Sequence, residues 1–156
     1  MNIKITDFIS GDLALTGMTA PDKEEALALM VDLLIEKGKL LKDRKKILLE
    51  KLMEREALSS TGIGGGVAIP HASGENIENM LVVIGQVPDG TEFDSIDGEP
   101  VQLIFMIIGS ERSARAHLQL LAAIVRALKN KELVENLLLA DSGNKVYNLL
   151  EEFCNS

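Results

Sequence analysis

The sequence has 156 residues, of which 46% are hydrophobic and only 3% aromatic, so we expect one packed domain with an aliphatic core. With 16 basic and 24 acidic residues the formal net charge is −8, which excludes the basic surface that nonspecific nucleic-acid binding requires. A single cysteine, Cys154, excludes an intramolecular disulfide and a cysteine zinc cluster. Its presence as the sole cysteine indicates a reducing compartment such as the cytoplasm.

Neither a signal peptide nor a membrane span is expected. The first residues contain no signal-peptide apolar segment, and every apolar run is shorter than the roughly 20 residues that a spanning helix needs. We therefore predict no direct insertion into a membrane, so that any work at a membrane is done through a partner protein.

The first part of the chain is predicted to contain one short strand followed by two helices. Residues 13–17 indicate the strand. Thr19 is predicted to cap the first helix, whose apolar residues at helical spacing continue until Gly38. Asp43 can begin the second helix, which is expected to end near Ala57.

The periodicity then changes from helical to strand-like. Residues 67–72 alternate as in a short strand, and residues 80–87 and 101–108 form continuous apolar runs that are typical of strands buried on both faces. Residues 88–90, Pro-Asp-Gly, are predicted to form a turn. Helices before and after these strands predict an α/β fold with a sheet covered on both faces. The later helices are predicted at 113–129, 131–140 and 143–153.

The most informative stretch runs from Arg55 to Ala72, with the sequence REALSSTGIGGGVAIPHA. Val67, Ile69 and His71 alternate along the predicted strand, so the histidine leaves the same face as two apolar residues. Pro70 cannot donate a ladder hydrogen bond, so strand pairing weakens just before His71. A histidine fixed at a strand end, beside a loop rich in exposed N–H groups, is a suitable place for imidazole to meet an anion.

From the sequence alone, these residues could also have ordinary structural roles. His71 fits an ordinary strand-end histidine, and His117 fits a half-buried helix histidine that faces Leu121. A metal site would need both histidines, with Asp94 and Asp97 to complete it, but the histidines are 46 residues apart and have no short-range partner, so we predict no metal. The glycines do not form a nucleotide-binding motif, since no Gly-Lys-Ser/Thr follows them. A tight backbone path is the role that we predict for them.

The same stretch closely resembles the signature of the type-2 enzyme IIA domains of the bacterial phosphoenolpyruvate-dependent phosphotransferase system. This fructose/mannitol class includes the free-standing nitrogen-regulatory IIA proteins, and the resemblance extends over nearly the whole chain. It implies a single domain over residues 1–156, folded as a three-layer α/β/α sandwich with a mixed central sheet. It also implies a protein without a cofactor.

The resemblance further implies roles for individual residues. The histidine of the IPH tripeptide is phosphorylated in this family, which makes His71 the phosphoacceptor. His117 matches the second active-site histidine, and Arg55 matches the arginine of an RE pair upstream, whose fixed fork of donors suits a phosphoryl oxygen. Donors in the loop before the strand are expected to bind phosphoryl oxygens: Ser60, Thr61 and Gly62.

The expected function is that of a phosphotransferase component with a phosphohistidine intermediate. An HPr-like, histidine-phosphorylated carrier would donate to His71, which would pass the group to a cysteine of a IIB component, in sugar uptake or its nitrogen-regulatory branch. The alternative is a regulatory binding protein controlled by histidine phosphorylation, without onward sugar transport. A metal-dependent hydrolase that uses both histidines is a third hypothesis. The sugar, the regulatory target and the oligomeric state stay open.

Overall fold

The structure is a computed structural model that describes residues 3–74, 77, 79–110, 112 and 114–156. In this part of the chain, five α-helices cover one six-stranded mixed sheet. The helices are α1 (Lys23–Glu36), α2 (Lys45–Leu58), α3 (Ala114–Leu128), α4 (Lys131–Leu139) and α5 (Gly143–Asn155). The strands are β1 (Ala14–Leu15), β2 (Gly62–Gly64), β3 (Val67–Ala68), β4 (His71–Ser73), β5 (Leu81–Thr91) and β6 (Val101–Gly109). No helix within the described residues is both long enough and apolar enough to cross a membrane.

The sheet is built around the antiparallel pair of β5 and β6. Its strand order is β1-β5-β6-β3-β2, and β4 also pairs with β6. Strands β3 and β4 run parallel to β6 in one continuous register, with Val67 opposite Leu103 and His71 opposite Ile107. Between the two strands the carbonyl of Pro70 accepts the N–H of Ile107 at 2.9 Å. The predicted strand over 67–72 is therefore present, and it is interrupted at the proline, which has no N–H to donate.

Two aliphatic clusters on opposite faces of the sheet separate the helices into two layers. Alternate residues of β6 enter different clusters, Met106 the first and Ile107 the second, as a strand buried on both faces requires. The first cluster contains, from α1 and α2, Leu27, Met30, Leu34, Leu48 and Leu52. The second contains, from α3, α4 and α5, Leu120, Ile124, Leu137, Val146 and Leu150. The predicted three-layer sandwich with a mixed central sheet is confirmed.

Two local predictions are wrong. Helix α1 is capped by Asp22, whose carboxylate accepts the N–H of Glu25 at 3.0 Å, because Thr19 lies too far upstream of the first helical turn. The predicted turn at 88–90 lies inside β5, where the register shifts as in a bulge and Gly90 adopts a φ of +81°. The predicted start of a helix at residue 113 lies outside the described residues.

A buried glutamine ties the sheet to helix α4. Gln86, on β5, is only 4% exposed, and its Oε1 accepts the N–H of Gly17 at 2.9 Å. The two N–H groups of its Nε2 are shared among three carbonyls at 2.9, 3.1 and 2.9 Å, those of Leu137, Leu138 and Ala140. These carbonyls belong to the end of α4, where helical carbonyls lack an intrahelical donor, so the side chain acts as a helix cap from another layer.

Gln86→Leu is expected to lower the free energy of unfolding by about 3 kcal/mol, because several buried polar groups lose their partner at once. Urea unfolding measures this loss. The matched control is Gln102→Leu on the neighbouring strand, where Nε2 donates to the single, exposed carbonyl of Pro88. That variant is expected to lose less than about 1 kcal/mol. Equal losses in the two variants would contradict the capping role.

Candidate active site

Three elements of the fold bring the three predicted catalytic side chains together. His71 is the first residue of β4, and its Nε2 accepts a hydrogen bond from Nε of Arg55, on α2, at 3.2 Å. Its Nδ1 lies 3.2 Å from the carbonyl oxygen of Ile69. The ring of His117, on α3, lies beside it with 4.9 Å between centroids and a tilt of 57°. His71, His117 and Arg55 are all partly buried.

The two hydrogen bonds of His71 fit a single neutral tautomer. A carbonyl oxygen can only accept, so the bond to Ile69 requires a proton on Nδ1. The Nε–H of Arg55 can only donate, so the bond from Arg55 requires a lone pair on Nε2. A neutral imidazole with its proton fixed on one nitrogen is nucleophilic at the other. The geometry therefore presents Nε2 as the reactive atom.

The guanidinium of Arg55 is itself held in place. Its Nη1 donates to the carbonyl of Ser59 at 2.7 Å, just beyond the end of α2. Hydrogen bonds through Nε and Nη1 fix the plane of the group next to the imidazole. A planar fork of N–H donors in a fixed position matches the oxygens of a phosphoryl group better than a flexible point charge does.

A cavity of about 310 Å³ opens beside the two histidine rings. The described residues that line it come from the ends of β4 and β6 and from the first half of α3: His71, Ala72, Ser73, Gly109, Ser110, Ala114 and His117. Ala114 is the first residue of α3, and the free N–H groups of a helix start favour an anion nearby. The cavity is thus large enough and suitably polarised to receive a phosphoryl group.

The loop before β2 keeps its donors for its own hydrogen bonds. Ser60 Oγ donates to the carbonyl of Phe93 at 2.7 Å and accepts the N–H of Gly62 at 3.1 Å. The N–H and the hydroxyl of Thr61 both donate to the carboxylate of Glu56. None of the three predicted phosphoryl-binding residues is among the described residues that line the cavity. Their contact with phosphoryl oxygens stays a prediction.

The glycines that follow allow the chain to fold closely upon itself. A Cβ at Gly62 would lie 2.9 Å from the Cα of Ser95, and the Gly62 carbonyl accepts the N–H of Ile96 at 3.1 Å. The next three glycines have positive φ values of +94°, +66° and +80°, which L side chains rarely adopt: Gly64, Gly65 and Gly66. This agrees with the tight backbone path predicted for the glycines.

The two aspartates weighed as metal ligands have other partners. The Asp97 carboxylate accepts the N–H groups of Glu99 and Gly65, and these bonds hold the pKa of Asp97 below its usual value. Asp94 lies 3.4 Å from the Nζ of Lys23. Over the residues that the structure describes, no group of three or more histidine, cysteine, aspartate or glutamate side chains is placed to hold a metal ion.

Three contacts of the site were not predicted from the sequence. The contact with the Ile69 carbonyl could not be predicted, because every residue has a backbone carbonyl. Lys51 donates from Nζ to the carbonyl of Ser73 at 3.3 Å, and its position one helical turn before Arg55 was the available signal. Glu56, the second residue of the RE pair, is buried although glutamates in helices are usually exposed.

His117 is held in its neutral form. Burial, and then the neighbouring His71, lower the pKa of His117 from its ordinary value of 6.5. Between the lowered folded value and the unfolded value the unfolded chain binds more protons. The stability that depends on neutral His117 is therefore present above pH 6.5 and is lost as the pH falls.

This sign leads to a measurable pH dependence. The melting temperature of the wild type is expected to fall more steeply between about pH 7.5 and pH 5.5 than that of His117→Gln, which cannot titrate there. Differential scanning calorimetry at several pH values across this range measures both slopes. The same slope in both proteins would contradict a lowered pKa at His117.

Comparison with known proteins identifies the family to which this chain belongs. Residues 7–153 match the family described as the phosphoenolpyruvate-dependent sugar phosphotransferase system, EIIA 2, and the chain belongs to this family. It is 35% identical over 130 residues to the fructose-specific EIIA component of Haloferax volcanii, and this alignment covers 83% of each chain.

Two further relatives show the range of the family. The chain is 32% identical over 150 residues to the fructose-specific EIIABC component of Bacillus subtilis, and it spans only 23% of the length of that protein. The crystal structure of the nitrogen regulatory protein IIA-Ntr from Neisseria meningitidis superimposes with a TM-score of 0.84 at 27% identity, covering 94% of this chain and 98% of that chain. Relatives named as fructose-specific components thus match this chain in sequence, and a nitrogen regulatory protein matches it in fold.

Proposed function

We propose that this chain is a phosphocarrier that accepts a phosphoryl group on Nε2 of His71 from an HPr-like, histidine-phosphorylated carrier protein. The observation that carries the proposal is the pair of hydrogen bonds that place a proton on Nδ1 and a lone pair on Nε2. Membership of the EIIA 2 family supports phosphoryl transfer as the reaction class.

In the first step, the lone pair of His71 Nε2 attacks the phosphorus of the carrier's phosphohistidine. The N–P bond of the carrier breaks, and its electron pair returns to the carrier's imidazole. The proton of His71 stays on Nδ1, where it donates a hydrogen bond to the carbonyl of Ile69, and this bond stabilises the positive charge of the new phosphoimidazole. Arg55 gives up its bond to Nε2 and donates to a phosphoryl oxygen, where it offsets the charge that develops in the transition state.

His117 is proposed to donate a hydrogen bond to the transferred group. Its ring borders the same cavity as His71, and its lowered pKa favours the neutral form, which can donate from one ring nitrogen to a phosphoryl oxygen. Together with the start of α3, it completes a set of donors around the phosphoryl oxygens.

In the second step, a cysteine thiolate of a IIB component attacks the phosphorus, and His71 Nε2 leaves with the electron pair of the N–P bond. This returns the imidazole to its neutral tautomer. The EIIABC relative from Bacillus subtilis supports a B component as partner. Both transfers run directly between side chains, so neither needs a cofactor. We place both in the cytoplasm, where a thiolate stays reduced.

A second candidate function is regulatory, in which the phosphorylation state of His71 controls a target protein without onward sugar transport. The structural likeness to IIA-Ntr of Neisseria meningitidis favours it. Pull-down with the phosphorylated and the unphosphorylated chain separates the two candidates. Capture of a sugar permease component supports transport, and capture of a sensor or a potassium-transport regulator supports regulation.

Both candidate functions require that His71 accepts a phosphoryl group. Incubation with phosphoenolpyruvate, enzyme I and an HPr-like carrier, followed by intact mass spectrometry, tests this step. A single acid-labile phosphoryl addition is the expected result. The absence of any addition, with carriers from several systems tried, would contradict the proposed chemistry.

A further inference from the structure

A buried carboxylate lies next to Arg55 and takes no part in the reaction proposed above. The side chain of Glu56 is only 2% exposed. It accepts the N–H of Thr61 at 3.1 Å and the Thr61 hydroxyl, and it lies 3.4 Å from the Nζ of Lys23. A carboxylate is costly to bury unless donors surround it, and these three donors converge on the two oxygens of Glu56.

Thr61 connects this carboxylate to the reactive histidine. The Thr61 carbonyl accepts the N–H of Ile69 at 3.0 Å, and the Ile69 carbonyl in turn bonds Nδ1 of His71. Arg55, which precedes Glu56 near the end of α2, reaches the other ring nitrogen. Glu56 therefore joins the two segments that hold the imidazole, the end of α2 and the strand before His71.

We propose that Glu56 is a positioning residue of the phosphoryl-transfer site, which fixes the guanidinium of Arg55 relative to the imidazole of His71. The inference rests on the proposed function for its reaction. Lys23 balances the charge of the carboxylate, is itself only 14% exposed, and lies over the ring of Phe93 at 5.2 Å. This arrangement shields the link between α2 and Thr61 from water, which strengthens its hydrogen bonds.

Loss of the Glu56 carboxylate should therefore move the end of α2 and the strand before His71 apart. In Glu56→Leu the N–H and the hydroxyl of Thr61 lose the acceptor on α2 to which both donate. Glu56→Gln keeps the link, because the amide oxygen can accept the Thr61 N–H while the amide donates to the Thr61 hydroxyl. Leucine and glutamine have similar volumes, so the two variants differ mainly in whether the hydrogen bonds between residue 56 and Thr61 are kept.

The first readout is single-turnover phosphoryl acceptance from a phosphorylated HPr-like carrier. Glu56→Leu is expected to reduce the maximal rate about 10- to 100-fold, as displacement of reacting groups by about 1 Å does. The carrier concentration at half-maximal rate is expected to stay unchanged, because a buried side chain does not reach the docking partner. Glu56→Gln is expected to restore most of the rate.

The second readout is the tautomer of His71 in the unphosphorylated protein, measured by ¹⁵N NMR of the imidazole. The wild type is expected to show Nδ1–H alone, and Glu56→Leu a mixture of both tautomers. The control is Gln86→Leu, which is destabilised far from the site and should keep the wild-type tautomer and rate. If Glu56→Leu does not fold, Thr61→Val removes one of the hydrogen bonds at nearly constant volume and is expected to change both readouts in the same direction.

Two results would overturn the inference: wild-type rate and tautomer in a folded Glu56→Leu or Thr61→Val protein, or equal losses in Gln86→Leu. A wild-type protein that accepts no phosphoryl group would contradict the proposed function instead. In that case the tautomer comparison still decides whether Glu56 positions His71.

Discussion

Replacement of His71 by glutamine is expected to abolish phosphoryl acceptance and to leave the fold intact. The amide of glutamine has no nucleophilic nitrogen, so the N–P bond cannot form. The fold is retained because β4 pairs with β6 through its backbone and the His71 side chain lies partly exposed at the strand's start. Intact mass after incubation with phosphorylated carrier measures acceptance, and circular dichroism with thermal melting measures the fold.

The matched control for this experiment is the same substitution at the neighbouring ring. His117→Gln is expected to accept a single phosphoryl group about 10- to 100-fold more slowly, which corresponds to the loss of one hydrogen bond to a charged group. A phosphoryl addition that persists in His71→Gln, or that disappears only in His117→Gln, would reverse the roles assigned to the two histidines.

The next largest effect is expected at Arg55. Arg55→Ala should slow the transfer about 100- to 1,000-fold, because the donor aimed at the charge that develops in the transition state is lost. Arg55→Lys should recover only part of the rate, since an ammonium group cannot donate to the Ser59 carbonyl and the phosphoryl group with the geometry of a planar fork. Rapid-quench kinetics with phosphorylated carrier measures both variants.

Arg126→Ala provides the control for charge. Arg126 is exposed in the last turn of α3, at the end of the helix opposite to His117, so its removal changes the net charge equally without touching the site. Its rate should match that of the wild type. Equal rates for Arg55→Ala and Arg126→Ala would show that Arg55 has no role beyond its charge, contrary to the proposed mechanism.

The order of helices and strands could be predicted because aliphatic patterns in this chain are strong and aromatic residues are few. The exceptions are local. Both Thr19 and Asp22 are residue types that cap helices, and Asp22 caps α1 because its carboxylate reaches the N–H of Glu25. At residues 88–90 the Pro-Asp-Gly signal of a turn is accommodated as a bulge, because pairing with β6 resumes at Thr91.

The structure brings His71, His117 and Arg55 together, but their contacts could not be predicted from the sequence. The sequence spacing of His71 and His117 says nothing about their proximity, which results from the parallel register of β4 on β6 and from the start of α3 after β6. The loop hydroxyls illustrate the limit most clearly. Their residue type suggests phosphoryl binding, but only the folded chain shows that Ser60 bonds the Phe93 carbonyl and Thr61 bonds Glu56.

The most direct test of the central claim is to identify the atom that carries the phosphoryl group. NMR of the ¹⁵N-labelled, phosphorylated protein, with ³¹P couplings, distinguishes the ring nitrogens of both histidines. The tautomer of His71 predicts a phosphoryl group on Nε2 of His71, with a proton retained on Nδ1 toward Ile69. A phosphoryl group on Nδ1 of His71, or on either nitrogen of His117, would contradict it.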